Sequence, residues 1–286
     1  MISRKLKILF FAICCFSFLS AQIETSKEET TFWSKKNIST VGIASIYAVS
    51  IYEAYTMWWA DDTRSFHFLK YEHDLFEDPW HLGMDKVGHF YTSYFFYHLQ
   101  KDVLRWGGFS KSYSQYLSAI LSGSFALLIE VGDAFSPYGF DYKDLMFNLA
   151  GIGYGFLQDE YPYLQNFNFK WSYIPHNGFS GLGNFSDQYY DQIYWLTFDV
   201  HNIIGKSEHN FWPKFLNLAI GYSISQSHPR RREFTFGLDL NIKEIFKTES
   251  LDWKLLRNTV DRIHIPMPGI KMNTHGSPVY KGILLR

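Results

Sequence analysis

The sequence predicts an α+β protein: an N-terminal bundle of about four apolar helices, membrane-embedded or membrane-associated, followed by a small antiparallel β-sheet region. Three observations carry that class. Hydrophobic residues make up 47% of the 286-residue chain and aromatics 20%, with 27 Phe and 20 Tyr. Such an aromatic load suits a protein that meets lipid or sugar, because Tyr and Trp serve where one end is apolar and the other wet. Four segments of helical length fill residues 38–161, and two later stretches alternate apolar and polar residues with the period of a strand.

Residues 1–21 read as an export signal. Arg4, Lys5 and Lys7 form a basic start, Ile8 to Leu19 an apolar core, and Ser20-Ala21 a small-residue exit. A retained membrane anchor is the competing reading. Cys14 and Cys15 lie inside the apolar core, and Phe11-Ala12-Ile13 is a poor match to the small residues that precede a lipidated cysteine. Cleavage after Ala21 removes both cysteines, which leaves no disulfide, thiolate nucleophile or Cys-metal site. It also takes away three basic residues and no acidic one, so the formal charge of −1 becomes more negative. The basic block that survives is His228-Pro229-Arg230-Arg231-Arg232, and nucleic acid is not an expected partner.

A polar linker, residues 22–37, leads into a helical domain over 38–161. Its helices are expected over Ile38 to Ala60, about Lys86 to Trp106, Tyr113 to Phe135, and Asp144 to Asp159. The first and third are long enough to cross a bilayer, although Glu53 interrupts the first and the fourth is short. Mean hydropathy is −0.17, low for a chain mostly in lipid. An embedded bundle and a buried bundle at the membrane surface both fit.

Residues 162–286 form an aromatic loop and a β-rich region. Pro162 to Asp191 is rich in Gly, Asn, Ser and Tyr and reads as a long ordered loop. In "FLNLAIGYSIS", Leu216, Leu218, Ile220, Tyr222 and Ile224 share one face. In "EFTFGLDLNI", Phe234, Phe236, Leu238, Leu240 and Ile242 do the same. Gln226 to Arg231 suits the hairpin between them. "DRIHIPMPGIKM" and "YKGILLR" add one or two weaker strands, the former limited to an edge by its prolines, and Thr248 to Val260 reads as an amphipathic surface helix. Three or four strands are too few to close a membrane barrel, hence the small sheet.

Chemistry is expected where polar residues interrupt apolar helices, since burying them unpaired costs several kcal/mol. Asp85 and His89 share a helix face with Ser93 one turn on, and Lys86 is beside them. Glu130 and Asp133 end the third helix. Asp141, Asp144 and Asn148 enter the fourth, where Gly151 and Gly155 give a small-xxx-small spacing for close helix packing. Each has a structural explanation too: Asp85 and Asp141 are suited to N-caps, and Asp144 to an acidic first turn. Taken together, acids, a histidine and a lysine at three helix ends imply a bound cation, phosphate or sugar. His89, Glu130, Asp133 and Asp144 are the candidate metal ligands, although no compact HExxH spacing supports them. His89 as base to a serine nucleophile lacks a GxSxG elbow. No phosphate-cradling glycine loop points to a cofactor.

"DKVGHF", then Glu130 with Asp133, then "DYKDLMFNLAGIGYG" resembles the YfiM-like group, an uncharacterised bacterial family of predicted envelope lipoproteins. More loosely it resembles VanZ-like membrane proteins. The likeness covers about Trp80 to Tyr161 and implies an envelope protein with a small helical core. It carries over Asp85, Lys86, His89, Glu130, Asp144, Asn148 and Gly151 as motif positions and brings no established activity. The poor lipidation motif and the strand-rich second half depart from it.

The expectation is an exported protein of the cell envelope, at the outer membrane or the periplasmic face rather than in the cytoplasm. Its polar site binds an envelope component such as a lipid head group or a cell-wall fragment. A metal-assisted hydrolase using His89 and the acids is the alternative, and a structural partner of an outer-membrane protein assembly is a third.

Overall fold

The computed structural model describes residues 33–70, 81–173, 175, 188–205, 211–265, 267–273 and 278–281. The export signal, most of the linker and residues 174 and 176–187 of the aromatic loop expected between Pro162 and Asp191 lie outside the described residues.

Helix α1, Lys35–Ala54, runs straight into a π-helical turn, Tyr55–Trp59. Its cap is Ser34, whose hydroxyl accepts the Asn37 N–H at 3.2 Å, satisfying a backbone donor that has no helical partner. Helices α2 (Met84–Trp106), α3 (Lys111–Asp133) and α4 (Tyr142–Glu160) follow. Ser110 caps α3 by accepting the Tyr113 N–H at 3.3 Å. The sheet is β1 (Phe167–Tyr173), β2 (Gln192–Phe198), β3 (Leu216–Ile224), β4 (Arg232–Leu240), β5 (Gly269–Asn273) and β6 (Val279–Lys281). Short helices α5 (Val200–Ile204), α6 (Ile242–Ile245) and α7 (Leu251–Val260) connect strands. The strands pair in chain order, each antiparallel to the next.

The class expected from sequence needs correcting. Among the described helices, one, α3, is long and apolar enough to cross a membrane, so an N-terminal bundle of four apolar helices does not form. The inward faces carry many polar residues. Ser114, Gln115, Ser118, Ser122 and Glu130 are buried on α3, and Lys86, Ser93, His98 and Gln100 are buried on α2 beside its aromatic residues. The apolar residues that made these segments read as spans, such as Ile120 and Leu127, point outward instead. The sheet is also larger than expected, with six strands. Two of them are beyond the expected strands: β1 lies within the segment expected as a loop, and β2 directly follows it. In β1, Phe167, Phe169, Trp171 and Tyr173 alternate with Asn168, Lys170 and Ser172, a signal overlooked beside the Gly-rich loop. In β2, Ile193, Tyr194 and Trp195 are all buried; a strand covered on both faces loses its alternation.

Helix α2 is the hub, packing against α1, α3 and α4 and also against β1, β2 and β3. One aromatic core results, in which Met84, Tyr91 and Tyr94 meet Tyr194 and Ile224, with Phe169, Trp171 and Tyr222 packed around them. The approach of α4 to α2 depends on Gly151. A Cβ there would stand 2.1 Å from the Phe90 carbonyl oxygen and 3.1 Å from the Tyr94 nitrogen.

The two sheet faces are unlike. Lys170, Thr197, Asn217, Ser223, Thr235 and Asp239 lie on a polar face that is buried. The segment Asp261–His264, bridged to β1 between Ile263 and Trp171, meets part of it. Lys170 meets Asp239 at 2.9 Å and Asp261 at 3.2 Å, and the His264 ring stacks on Trp195 at 3.8 Å. The opposite face carries a ladder crossing all six strands: Phe169, Leu196, Ile220, Phe236, Ile270 and Tyr280.

Candidate functional site: a lysine ringed by carboxylates

Three helix ends meet at the site: the start of α2, the end of α3 and the start of α4. Helix α2 begins at Met84 after Gly83, whose φ of 84° is the left-handed conformation that glycine adopts without strain. Gly83, not Asp85, is therefore the N-cap position, and Asp85 falls in the first turn, where a carboxylate suits the helix dipole. Lys86, the next residue, is buried. Its ammonium meets Asp141 Oδ2 at 2.6 Å, Asp144 Oδ1 at 2.7 Å and Asp85 Oδ2 at 2.9 Å.

Asp141 works in two directions. Its Oδ1 caps α4, accepting the N–H groups of Lys143 at 2.7 Å and Asp144 at 3.2 Å, while Oδ2 faces Lys86. Its backbone N–H donates to Glu130 Oε2 at 3.2 Å. Glu130 is 1% exposed, and its Oε1 has no hydrogen-bond partner among the described residues. His89 stands one turn after Asp85, with Nε2 3.4 Å from Asp144 Oδ2. The Asn148 side chain hydrogen-bonds His89, and Asn148 Oδ1 accepts the Ser93 hydroxyl at 2.7 Å.

Burial governs the protonation of this cluster. It pushes Glu130 up to about 8, helped by the charges of Asp144 and Asp133. It pushes Asp141 up to about 7, again with Asp144 adding to the effect, and raises Asp144 against the opposing pull of Lys86. Burial lowers His89 to about 4, and the Lys86 charge works the same way. For Lys86 burial alone would lower the pKa, but Asp144 and Asp85 outweigh it and raise it. Near neutral pH, then, the imidazole is neutral and free to donate a lone pair, while Glu130 holds a proton that a cation could displace.

Not every candidate from sequence joins the group. His89, Glu130 and Asp144 each offer a ligand atom within 4.8 Å of the others. Asp133, the fourth expected ligand, is turned aside: its Oδ1 accepts the Trp59 indole N–H at 2.7 Å. Trp59 lies against Gly132, where a Cβ would stand 2.1 Å from the ring. Trp59 was not singled out from sequence, and "MWWA" at a helix end was the available signal. Gly151 and Gly155 lie outside the cluster on the contact of α4 with α2, the latter against Tyr97 and His98. A second ion network at the far end of the helices was also missed, in which Lys101 meets Asp159 at 2.6 Å and Tyr97 donates to the same carboxylate at 2.7 Å.

Fold and site together describe an α+β protein with a charged cluster between helix ends. Residues 75–160 match the model of a family described as "Predicted periplasmic lipoprotein (DUF2279)". The match takes in every residue of the cluster and stops before the sheet. It supports an uncharacterised envelope lipoprotein family and an exported protein. No curated protein and no solved structure matches the chain.

Proposed function

We propose that this envelope protein binds a divalent metal ion through His89, Glu130 and Asp144. One observation carries the reading: a carboxylate oxygen of Glu130 lies within 4.8 Å of ligand atoms on a neutral histidine and a second carboxylate, and Glu130 Oε1 is buried without a hydrogen-bond partner among the described residues. Metal–ligand bonds of about 2 Å place ligand atoms roughly 3 to 4 Å apart, so the three groups need to close by only a small shift. One nitrogen and two carboxylate oxygens suit Zn²⁺ or Mn²⁺. Lys86 balances Asp85, Asp141 and Asp144, and Asn148 orients His89 as an outer-sphere partner does. The finer likeness to the YfiM-like and VanZ-like groups bears on the same positions. Binding of an envelope component at the exposed side of the cluster, near Asp85, is the setting in which such an ion would act. A hydrolytic role is the second reading, favoured by Asp141 near 7 and Glu130 near 8, values suited to moving protons at neutral pH.

The test is calorimetric titration of the purified, metal-stripped chain with Zn²⁺ and with Mn²⁺. Stoichiometric binding is expected in the wild type and in Asp133→Asn, and loss in His89→Gln and Glu130→Gln. Equal binding by wild type and both site variants, or none by any of them, would sink the proposal.

A further inference from the structure

The charged cluster leaves two features of the sheet unused: the apolar face of β2 to β6 and the basic tip of the β3–β4 hairpin. An antiparallel sheet with one covered face ordinarily turns its apolar residues inward and its polar residues to water. Here the direction is reversed. On the polar face Asp261 and His264 meet Lys170 and Trp195, while on the other the ladder becomes exposed from Ile220 of β3 onward. Ile220, Phe236, Ile270 and Tyr280 are 38%, 43%, 45% and 72% exposed. The neighbouring rows, Tyr222, Phe234 and Met272 on one side and Leu218 and Leu238 on the other, are uncharged as well. Apolar out and polar in is the pattern of strands that face lipid, and a contiguous apolar face of this extent marks an interaction surface.

The hairpin tip says what kind. Between Ser225 and Arg232 the chain has three consecutive arginines, a histidine and no acid. His228 and Arg231 are exposed, and Arg230 lies over the Tyr190 ring at 5.1 Å. Arg232 opens β4 on the apolar face, beside Tyr222. Cations bordering an apolar face complement an anionic head-group layer over acyl chains. A second copy of the chain would bring the same arginines to the face and leave them without a complement.

We infer that the outer face of β3 to β6 docks on an anionic phospholipid bilayer, with Ile220, Phe236 and Ile270 against acyl chains and the arginine tip at the phosphates. The inference is independent of the metal site.

The experiment places the photo-reactive residue p-benzoylphenylalanine at position 236, at 270, or at 235 on the buried polar face, in the full chain. Each protein is irradiated with vesicles of phosphatidylethanolamine and phosphatidylglycerol, and adducts are read by mass spectrometry. Lipid adducts at 236 and 270, several-fold above those at 235, are expected. A cross-link to a second copy, or no excess of lipid adduct over position 235, overturns the inference. Arg230→Gln with Arg231→Gln is expected to abolish the preference for phosphatidylglycerol over purely zwitterionic vesicles in co-sedimentation. An undiminished preference overturns the part assigned to the tip. Attachment through the N-terminal apolar segment would be the same in all variants and so is distinguished from docking by the sheet.

Discussion

Glu130 joins the end of α3 to the start of α4 by accepting the Asp141 backbone N–H at 3.2 Å. One oxygen is thereby fixed, and the other is buried without a hydrogen-bond partner among the described residues. The carboxyl is held by the backbone of its neighbour and stays protonated because burial disfavours its charge. The first consequence is a pH dependence of stability. The unfolded chain releases the Glu130 proton near its ordinary value of 4.5, the folded protein near 8. Between those values the folded state binds more protons, so stability falls as pH rises across the window. Glu130→Gln is expected to flatten that fall and to gain up to about 4 kcal/mol at pH 8. Urea unfolding of the metal-stripped protein at pH 5 and pH 8 measures it, and an unchanged difference between the two pH values would count against a buried proton.

His89 works in the opposite direction. Its folded value near 4 lies below the ordinary 6.5, so on acidification the unfolded state takes up the proton first. Stability contributed by the neutral ring is present above pH 6.5 and is lost as pH falls toward 4. In His89→Gln this acid limb should be shallower in the same unfolding series.

Metal uptake should release protons. If Zn²⁺ replaces the Glu130 proton, apparent affinity climbs between pH 6 and pH 8 and then levels. Calorimetry in two buffers of different ionisation enthalpy counts the protons, and a buffer-independent heat would exclude displacement at Glu130.

Lys86→Met leaves Asp85, Asp141 and Asp144 without their shared counter-ion. Breaking a buried pair in this way costs roughly 3 to 5 kcal/mol, read as a shift of the urea midpoint. A loss below about 1 kcal/mol, the size of an exposed ion pair, would mean that water already screens the ring of charges.

Gly151→Ala and Gly153→Ala separate packing from helix propensity. A Cβ at 151 would meet Phe90 backbone, whereas at 153 nothing lies within 4 Å. The first should destabilise by about 1 to 3 kcal/mol, and the second should be neutral or stabilising by up to about 1 kcal/mol. Thermal unfolding of the two variants side by side decides it.

How much of this was legible in the sequence depended on whether the signal was local. The spacing of Asp85 to His89 and of Asp141 to Asn148 put the polar residues on helix faces, and the chain order of three helix ends suggested their meeting. Which oxygen faces which nitrogen was not legible: the capture of Asp133 by Trp59 is set by a contact 74 residues away in the chain. The apolar character of the helices misled because composition does not tell which side faces inward. Serines at 114, 118 and 122 were invisible as a core because they are small and polar, and they are buried because they let α3 approach its neighbours. In β2, burial on both faces erased the alternation that revealed β3 and β4.

The segment Asp261–His264 binds both halves of the molecule. Arg262 donates to the Tyr94 hydroxyl at 2.9 Å on α2, and its carbonyl accepts from Tyr91. Lys170 of β1 waits 91 residues for Asp261. A chain threaded through an export pore N-terminus first therefore delivers the helices and four strands before the piece that latches them together. Until residue 261 emerges, Lys170 has Asp239 but lacks its second carboxylate, and the Tyr91 and Tyr94 hydroxyls lack the Arg262 groups they pair with in the finished fold. Completion of the fold thus waits for the passage of residues 261–264, and a chain stalled before that point would present to any envelope protease a structure not yet fastened.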